Sequence, residues 1–473
     1  MRKCTKTGVG RKTRTRLKST DPMNTLEPPS DSSAPFAPDS GRRILHATAA
    51  ADAGGVISPA AVLVEGRRVI TVGPPQELGA GEIPVTNLGE VLVCPPVVNP
   101  HTHLDLTNVG PVALDAGFEA WLAEIRRRRP ADEASTIQAV DAGVLASLRG
   151  GVVAVGDIAG AFGLPAARRL SESCLGGVSY IELFGMGNRL QAGLEALEGI
   201  RYQLDRKGMD RPGFRIGISP HAPYSCAPEL YEAAAETGRP LTTHLAETPE
   251  EARLLRSGDG PLLNLLQGIG AFGADRAPGA GGRGDIRLGV HPIDLVAGIP
   301  SASPWLLAHL NYPVEPDEPA GCFDQRMDRL ASIGATVVFC PRAARCLGHP
   351  RPDRDPHPWR RLRKAGVPVV LGTDGMPCLD TPVRISPLDD LRVLCREGLS
   401  LEDGLGMVTT EPARALGLRA EALTFAGGSA AGLLALDLAP GSESVTEAFV
   451  RSDRDPVWIH PPDAAALAVD GTP

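Results

Sequence analysis

Eight short apolar segments follow one another through the middle of the chain, and helix-like stretches separate them. Strand-like runs that alternate with helices predict a parallel sheet, and eight such repeats predict an α/β protein built on a closed (β/α)8 TIM barrel. The apolar runs cover residues 91–103, 151–157, 178–184, 214–221, 240–247, 305–309, 335–341 and 367–374. The predicted helices cover residues 118–128, 135–148, 190–206, 228–237, 249–256, 324–333 and 357–365.

Both ends of the chain carry short runs that are typical of β-strands bounded by turns. At the N-terminal end these are residues 43–50, 61–64, 68–72 and 85–93, and at the C-terminal end residues 432–437, 445–450 and 456–459. Neither end has enough strands for a robust sheet alone. We therefore expect residues 43–94 and 423–473 to form one small β-sandwich domain beside a barrel of residues 95–422.

Two segments fall outside this pattern. Residues 258–304 are Gly-rich and interrupt the alternation, so they are predicted to be an insertion loop, either a lid or a spacer. Residues 1–42 begin with eight Lys and Arg among the first twenty positions and continue Pro- and Ser-rich. A disordered tail, or a start codon assigned too early, is favoured there over an arm that binds nucleic acid or a membrane.

Composition excludes several classes of protein. The net charge of −8 argues against a general nucleic-acid surface. No apolar stretch is long enough to span a bilayer, and no apolar segment follows the basic start as in a secretory signal. The nine cysteines are dispersed without CxxC pairs, which indicates a reducing compartment and a cytoplasmic protein.

The predicted barrel strands end in side chains that can do chemistry. Active sites of this fold lie at the carboxyl ends of the strands, so these side chains are expected to meet at one rim. They are His101 and His103 after the first strand, His221 after the fourth, His244 and Glu247 after the fifth, His309 after the sixth and Asp374 after the eighth.

This set of side chains suits a divalent metal ion. Three neutral imidazoles and one carboxylate fit zinc, the first expectation, or iron(II), and leave a position open for water. Such an ion lowers the pKa of water toward neutrality, and a nearby carboxylate such as Glu247 can move protons. None of the six lysines ends a predicted barrel strand, so a bridging carboxylated lysine is missing and one metal ion is predicted.

Each residue also has a structural interpretation. Asp374 fits a turn or a helix N-cap, Glu247 fits the exposed start of a helix, and His309 fits plain packing. His221 fits a structural role in a turn and a contact to the substrate about equally well. The arginines at 126–129 fit a solvated helix face better than a contact to a carboxylate-bearing substrate.

Taken in order, the motifs resemble those of the amidohydrolase superfamily, in its branch of cytosine, guanine and adenosylhomocysteine deaminases and chlorohydrolases. The resemblance covers about residues 43–440 and rests on HTHLDL (101–106), HAPYS (221–225), HLAET (244–248), AHLNY (308–312), CPR (340–342) and GTDG (372–375). It implies that the metal ligands are His101, His103, His244 and Asp374. It also implies the catalytic residues Glu247 as proton shuttle, His309 as orienting group and Asp374 as proton acceptor, with His221 facing the substrate.

A finer resemblance, to aminodeoxyfutalosine deaminases, rests on GFEAWL (117–122) and CPRAARCLGHP (340–350). It adds Trp121 and Arg342 as expected substrate contacts. Relatives often carry a polar pair after CPR, whereas this chain has Ala343 and Ala344. This difference bears on the identity of the substrate and not on the chemistry.

The function expected from the sequence is hydrolytic deamination of an aminopurine-like small molecule, with 6-aminodeoxyfutalosine as a specific candidate. A chlorohydrolase or a cyclic amide hydrolase could use the same residues, although the HLAE glutamate favours attack on a C=N carbon. A non-catalytic binding relative is the third interpretation, and a homodimer is left open.

Overall fold

The computed structural model describes residues 41–469 apart from positions 79–80, 115–117, 161–162, 274–277 and 280. The predicted tail of residues 1–42 lies outside this part of the chain except for its last two positions. Within the described residues no helix is both long enough and apolar enough to cross a membrane.

The described residues form seventeen β-strands and fifteen α-helices. The strands are β1 (Arg42–Ala47), β2 (Ala49–Asp52), β3 (Gly55–Ile57), β4 (Ala60–Glu65), β5 (Arg68–Gly73), β6 (Val85–Asn87), β7 (Val91–Cys94), β8 (Val97–Thr102), β9 (Val152–Ala159), β10 (Gly176–Leu183), β11 (Phe214–Pro220), β12 (Leu241–Leu245), β13 (Trp305–His309), β14 (Thr336–Phe339), β15 (Val369–Leu371), β16 (Leu433–Asp437) and β17 (Val457–His460). The helices are α1 (Phe118–Arg128), α2 (Glu133–Arg149), α3 (Leu164–Ser171), α4 (Leu190–Lys207), α5 (Pro228–Glu236), α6 (Pro249–Ser257), α7 (Pro261–Gly268), α8 (Pro292–Ala297), α9 (Cys322–Ser332), α10 (Pro341–Cys346), α11 (Trp359–Lys364), α12 (Pro387–Arg396), α13 (Leu401–Leu405), α14 (Thr410–Ala415) and α15 (Val445–Arg451).

Strands β8 to β15 form one parallel sheet in sequence order. Its two edges meet, because Thr373 and Asp374, just after β15, both donate their backbone N–H groups to the carbonyl oxygen of His101 in β8, at 3.1 and 3.0 Å. Every residue of β9 is buried, as expected for a strand covered on both faces. The predicted (β/α)8 barrel is confirmed.

The first predicted barrel strand, residues 91–103, is two strands in the structure. β7 belongs to a five-stranded sheet, and β8 begins the barrel. Pro95 and Pro96 lie between them, and proline has no N–H to donate to a sheet ladder. The prediction of one continuous strand was therefore wrong, although every residue of the two strands except Val91 is buried.

Two further sheets lie outside the barrel, in the orders β5-β4-β1-β6 and β17-β16-β7-β2-β3. The second sheet joins both ends of the chain, since β16 pairs antiparallel with β7 and places Leu436 opposite Leu92. Side chains from both sheets, among them Leu45, Val62 and Leu433, share one buried apolar cluster. The boundaries predicted for the tail, the β domain and the barrel stay a prediction.

One strand predicted near the C-terminus is a helix. Residues 445–450 fall in α15, which begins after Ser444, whose side chain accepts a hydrogen bond from the backbone N–H of Glu447 at 3.1 Å. A serine at this position satisfies one of the N–H groups that a helix start leaves without a partner. Phe449 is buried, so packing against the protein outweighs the strand preference of the valines.

The insertion at residues 258–304 is partly helical. Its described residues include α7 and α8, and each helix begins at a proline, which favours the first helical position. Leu262 and Leu266 of α7 and Ile293 of α8 are buried. The prediction of an insertion loop is corrected accordingly, because both helices pack against the rest of the protein.

Candidate active site

Three histidines and one aspartate meet at the carboxyl end of the barrel. The Nε2 atoms of His103 and His244 are 3.3 Å apart. Oδ1 of Asp374 lies 3.4 Å from Nε2 of His103 and 3.8 Å from Nε2 of His101. One nitrogen from each of the three histidines lies within 4.8 Å of the others, a spacing that could hold a metal ion.

The chemistry of this group fits a divalent cation. Both ring nitrogens of His101 are buried, and neither has a hydrogen-bond partner among the described residues. An unpaired buried polar atom is costly, and metal coordination would supply a partner for one of these two nitrogens. Nδ1 of His244 lies 3.0 Å from the carbonyl oxygen of His221. Because a carbonyl only accepts, Nδ1 carries the proton and Nε2 keeps its lone pair, as a metal ligand requires.

Burial sets the charge state of these groups. Desolvation and the neighbouring histidines hold the pKa of His101 and of His103 well below the usual value. Burial also lowers the pKa of His244 to about 4. Burial and the negative charge of Glu247 raise the pKa of Asp374 to about 7. The imidazoles are thus neutral at physiological pH, which is the form that binds metals.

A second acid and a fourth histidine lie beside this group. Oε1 of Glu247 is 3.7 Å from Nε2 of His309, and both residues are buried. One ligand atom from each of Glu247, His309 and Asp374 lies within 4.8 Å of the others. Burial lowers the pKa of His309 to about 3, so this imidazole is neutral. The predicted alternative of an exposed Glu247 at a helix start is wrong.

The start of α6 fixes the position of Glu247. Thr248 caps the helix, and its side chain accepts a hydrogen bond from the backbone N–H of Glu251. The Glu251 carboxyl group reaches back and accepts from the N–H groups of Ala246 and Glu247, both at 3.1 Å. The helix start was predicted from the sequence, but no role was predicted for Glu251. The T-x-x-E spacing of a capping box is the signal that identifies it.

His103, His244 and Asp374 line one wall of a cavity, whose other walls combine apolar side chains with the charged residues Arg126 and Arg129. Trp121, Leu122 and Ile125 of α1 contribute, as do Phe184 after β10 and Leu265 of α7. The insertion therefore forms part of the cavity wall.

The structure brings two of the three predicted substrate contacts to this cavity. Trp121 and His221 line it, whereas Arg342 does not. The Arg342 side chain is 5% exposed and bonds to Asp390 at 3.0 Å and Asp380 at 3.1 Å. Its Nη2 also donates to the carbonyl oxygen of Ser386. The expectation of a substrate contact is corrected, because these ion pairs, of which the one with Asp390 is fully buried, hold the guanidinium away from the cavity.

Glu182, near the end of β10, also lines the cavity and was not among the predicted site residues. Its Oε1 lies 4.0 Å from Nε2 of His221 and has no hydrogen-bond partner among the described residues. Burial raises its pKa to about 8. The signal in the sequence is an acidic residue near the end of the third predicted strand, because the predicted site residues also lie at the ends of predicted barrel strands.

Comparisons with known proteins identify the family of this chain. The sequence profile of the Amidohydrolase family matches residues 92–461. Aminodeoxyfutalosine deaminase of Deinococcus radiodurans is 31% identical over 346 positions and covers 69% of this chain and 74% of its own length. A 5-methylthioadenosine/S-adenosylhomocysteine deaminase of Symbiobacterium thermophilum is 28% identical, with 84% of each chain covered.

Solved structures share the fold. Helicobacter pylori aminofutalosine deaminase, in complex with methylthio-coformycin, superposes with a TM-score of 0.66 at 20% identity and covers 90% of this chain and all of its own. Atrazine chlorohydrolase of Arthrobacter aurescens, complexed with zinc, gives a TM-score of 0.63 at 18% identity, with 90% and 94% covered. With the profile match over most of its length, this chain belongs to the amidohydrolase family.

Proposed function

We propose that this protein hydrolytically deaminates a 6-aminopurine nucleoside and uses one zinc ion, with iron(II) as the alternative. The observation that carries the proposal is the placement of Glu247, buried beside His309 and Asp374 and next to three metal-binding candidates. A carboxyl group in that place can deliver a proton to a ring nitrogen. Deamination at a C=N carbon needs that step.

Each side chain has a distinct role in this proposal. His101, His103, His244 and Asp374 would hold the ion, which would make water more acidic and more nucleophilic. Glu247 would take one proton from the attacking water and give it to the ring nitrogen. Asp374 would take the remaining hydroxyl proton, which Glu247 would relay to the departing amino group, so that both protons of the water end on nitrogen. His309 would orient the attacking oxygen by a hydrogen bond.

The identity of the substrate is inferred from the relatives. The Deinococcus relative is named an aminodeoxyfutalosine deaminase, and the Symbiobacterium relative a 5-methylthioadenosine/S-adenosylhomocysteine deaminase. Both names describe aminopurine nucleosides that carry a substituent at the 5′ carbon. The apolar side chains that α1 and α7 contribute to the cavity suit such a substituent. 6-Aminodeoxyfutalosine is therefore the first substrate to test.

The experiment is ammonia release by the purified, metal-loaded protein, with metal content measured on the same sample. The panel holds 6-aminodeoxyfutalosine, methylthioadenosine, adenosylhomocysteine, adenosine, guanine, cytosine and a chlorotriazine. We expect ammonia from at least one 6-aminopurine nucleoside and about one metal ion per chain. Chloride release from the triazine without ammonia from any purine would replace deamination by chlorohydrolysis. A metal-free, inactive protein would favour the non-catalytic relative.

We also propose three properties that were predicted from the sequence. These are a homodimer, a cytoplasmic location and the absence of a nucleic-acid partner. Light scattering on the purified full chain would test the first of them.

A further inference from the structure

The backbone leaves the regular barrel sheet just before Glu247. β12 and β13 pair in parallel up to Leu245 and His309. Beyond that pair, Ala246 and Leu310 have backbone φ angles of 48° and 56°, and His309 itself has a φ of 72°. Residues other than glycine rarely adopt this left-handed conformation, which persists only where surrounding groups hold the backbone and which is found most often at active sites.

Hydrogen bonds from both sides hold the backbone of Ala246 and Glu247 in place. Their N–H groups both donate to the carboxyl group of Glu251, at 3.1 Å. The carbonyl oxygen of Ala246 accepts from the backbone N–H of Tyr312 at 3.0 Å. The carbonyl oxygen of Glu247 accepts from Nδ2 of Asn311 at 3.1 Å. Each backbone polar group of these two residues therefore has its partner, and a side chain supplies the bond at both groups of Glu247.

Asn311 connects the two strand ends that carry Glu247 and His309. It lies just beyond His309 in the chain and holds the carbonyl group of Glu247, whose Oε1 is 3.7 Å from Nε2 of His309. Asn311 is 6% exposed and is not among the residues that line the active-site cavity. Its amide group can therefore influence a reaction in the cavity only through the residues that it holds.

We propose that Asn311 is a positioning residue for proton transfer, which holds the carboxyl group of Glu247 in its place beside His309. This inference rests on the proposed function, in which Glu247 moves the protons. Catalysis is sensitive to the placement of the reacting groups, and a displacement of about 1 Å can lower a rate about 100-fold. The loss of this hydrogen bond should therefore affect kcat much more than KM, because Asn311 does not line the cavity.

The first measurement is the steady-state kinetics of metal-loaded Asn311→Ala. The substrate is the purine of the panel that the wild-type protein deaminates with the highest kcat/KM. We expect kcat to fall about 10- to 100-fold while KM stays within about threefold of the wild-type value. The metal content should stay the same, because Asn311 bonds to none of the proposed ligands. Asn311→Leu, which fills the volume of the amide without a donor, is the second variant if Asn311→Ala does not fold.

Thr409→Val is the matched control. Thr409 is fully buried and lies outside the cavity lining, and its hydroxyl donates to the carbonyl oxygen of Leu405 at 2.6 Å. This variant also removes a side-chain hydrogen bond from a backbone carbonyl group, so it reproduces the loss of stability without touching Glu247. Its kcat should stay near the wild-type value. Thermal unfolding shows whether each variant is folded.

A double-mutant cycle with Glu247→Gln separates positioning from a purely structural role. If Asn311 acts through the carboxyl group of Glu247, it has no proton donor left to position in the Glu247→Gln background. Asn311→Ala should then lower kcat by less than about twofold, whereas two independent effects would multiply. A structural role, in which Asn311 only satisfies a buried carbonyl group, gives the same fall in both backgrounds.

The outcomes separate this inference from the function on which it rests. A wild-type protein that deaminates no purine overturns both, and so does wild-type turnover in Glu247→Gln. If the wild type deaminates a purine and Glu247→Gln does so poorly, the proposed function stands. An unchanged kcat in Asn311→Ala, or an equal fall of kcat in the wild-type and Glu247→Gln backgrounds, then overturns the positioning role of Asn311 alone.

Discussion

The side chains of Asn99 and Thr373 join the first and last strands of the barrel. Nδ2 of Asn99 donates to Oγ1 of Thr373 at 2.8 Å, and the backbone N–H of Thr373 donates to Oδ1 of Asn99 at 3.2 Å. Both residues are fully buried. Asn99 is two residues before His101, and Thr373 directly precedes Asp374, so this pair fixes the distance between two of the proposed ligands.

Replacing Asn99 is therefore expected to weaken metal binding. In Asn99→Ala the strand ends lose both hydrogen bonds, and metal affinity should fall about 10- to 100-fold, as is usual when the partners that orient ligands are removed. Competition with a fluorescent zinc chelator measures this. Asn87→Ala, an exposed asparagine of β6, is the matched control. Equal affinities in the two variants would show that the pair does not position the ligands.

Replacing Glu247 separates proton transfer from metal binding. Glu247→Gln keeps the shape of the side chain but cannot deliver a proton, so kcat/KM should fall about 10²- to 10⁴-fold while the metal content stays the same. Glu250→Gln is the control, since Glu250 lies three residues away and pairs with Arg351 at 3.4 Å. Turnover near the wild-type rate in Glu247→Gln would remove Glu247 from the mechanism.

Arg342 is expected to affect stability and not substrate affinity. Arg342→Leu leaves Asp390 buried without its cationic partner, and such a change costs about 3–5 kcal/mol of unfolding free energy. KM should stay within twofold of the wild-type value, because Arg342 lies outside the cavity lining.

Arg345→Leu is the control for that measurement. The side chain of Arg345 is 56% exposed and pairs with Glu397 at the surface, where an ion pair contributes at most about 1 kcal/mol. Denaturant titration gives both free energies. A large rise in KM with unchanged stability in Arg342→Leu would restore the substrate contact that the sequence suggested.

His357 is expected to make the fold sensitive to acid. Its ring stacks on Phe339 at 3.8 Å, its Nε2 donates to the carbonyl oxygen of His309 at 2.9 Å, and burial lowers its pKa to about 3. An unfolded histidine binds a proton near pH 6.5. Between these values the unfolded state holds more protons, so the free energy of unfolding falls as pH falls.

A glutamine at position 357 can still donate a hydrogen bond to the His309 carbonyl oxygen, and it does not titrate. His357→Gln should therefore reduce the loss of stability below pH 6.5 by up to about 1.4 kcal/mol for each pH unit. At pH 7–8 the stability of the variant and the wild type should change in parallel. Chemical denaturation across pH 4–8 measures the free energy of unfolding in both ranges. If it falls equally steeply below pH 6.5 in the wild type and in His357→Gln, His357 is not a source of the acid sensitivity.

Local sequence patterns were enough to predict the barrel. The length of each apolar run, its turn residues and the helix-like stretches between runs depend on neighbours along the chain. β13 and α1 have the predicted bounds. The histidines that follow the strands were also visible, because parallel strands bring their carboxyl ends to one edge.

Neighbouring residues alone do not decide the structure of a segment whose sequence fits two different arrangements. Residues 445–450 contain valines that favour a strand, and only the cap at Ser444 and the buried Phe449 favour the helix. Residues 91–103 form a continuous apolar run, and their division between two sheets depends on pairing of β7 with β16 from the other end of the chain.

The sequence by itself determined the repeat of strands and helices and the chemical character of the strand ends, because both follow from contacts between near neighbours. Tertiary structure alone decided which polar groups serve the fold and which face the cavity. Arg342 and Glu182 are both ionisable residues near predicted strand ends. Arg342 finds acids from α12 and the loop before it, whereas no described group bonds to Oε1 of Glu182. Such pairing depends on segments that meet only when the barrel closes.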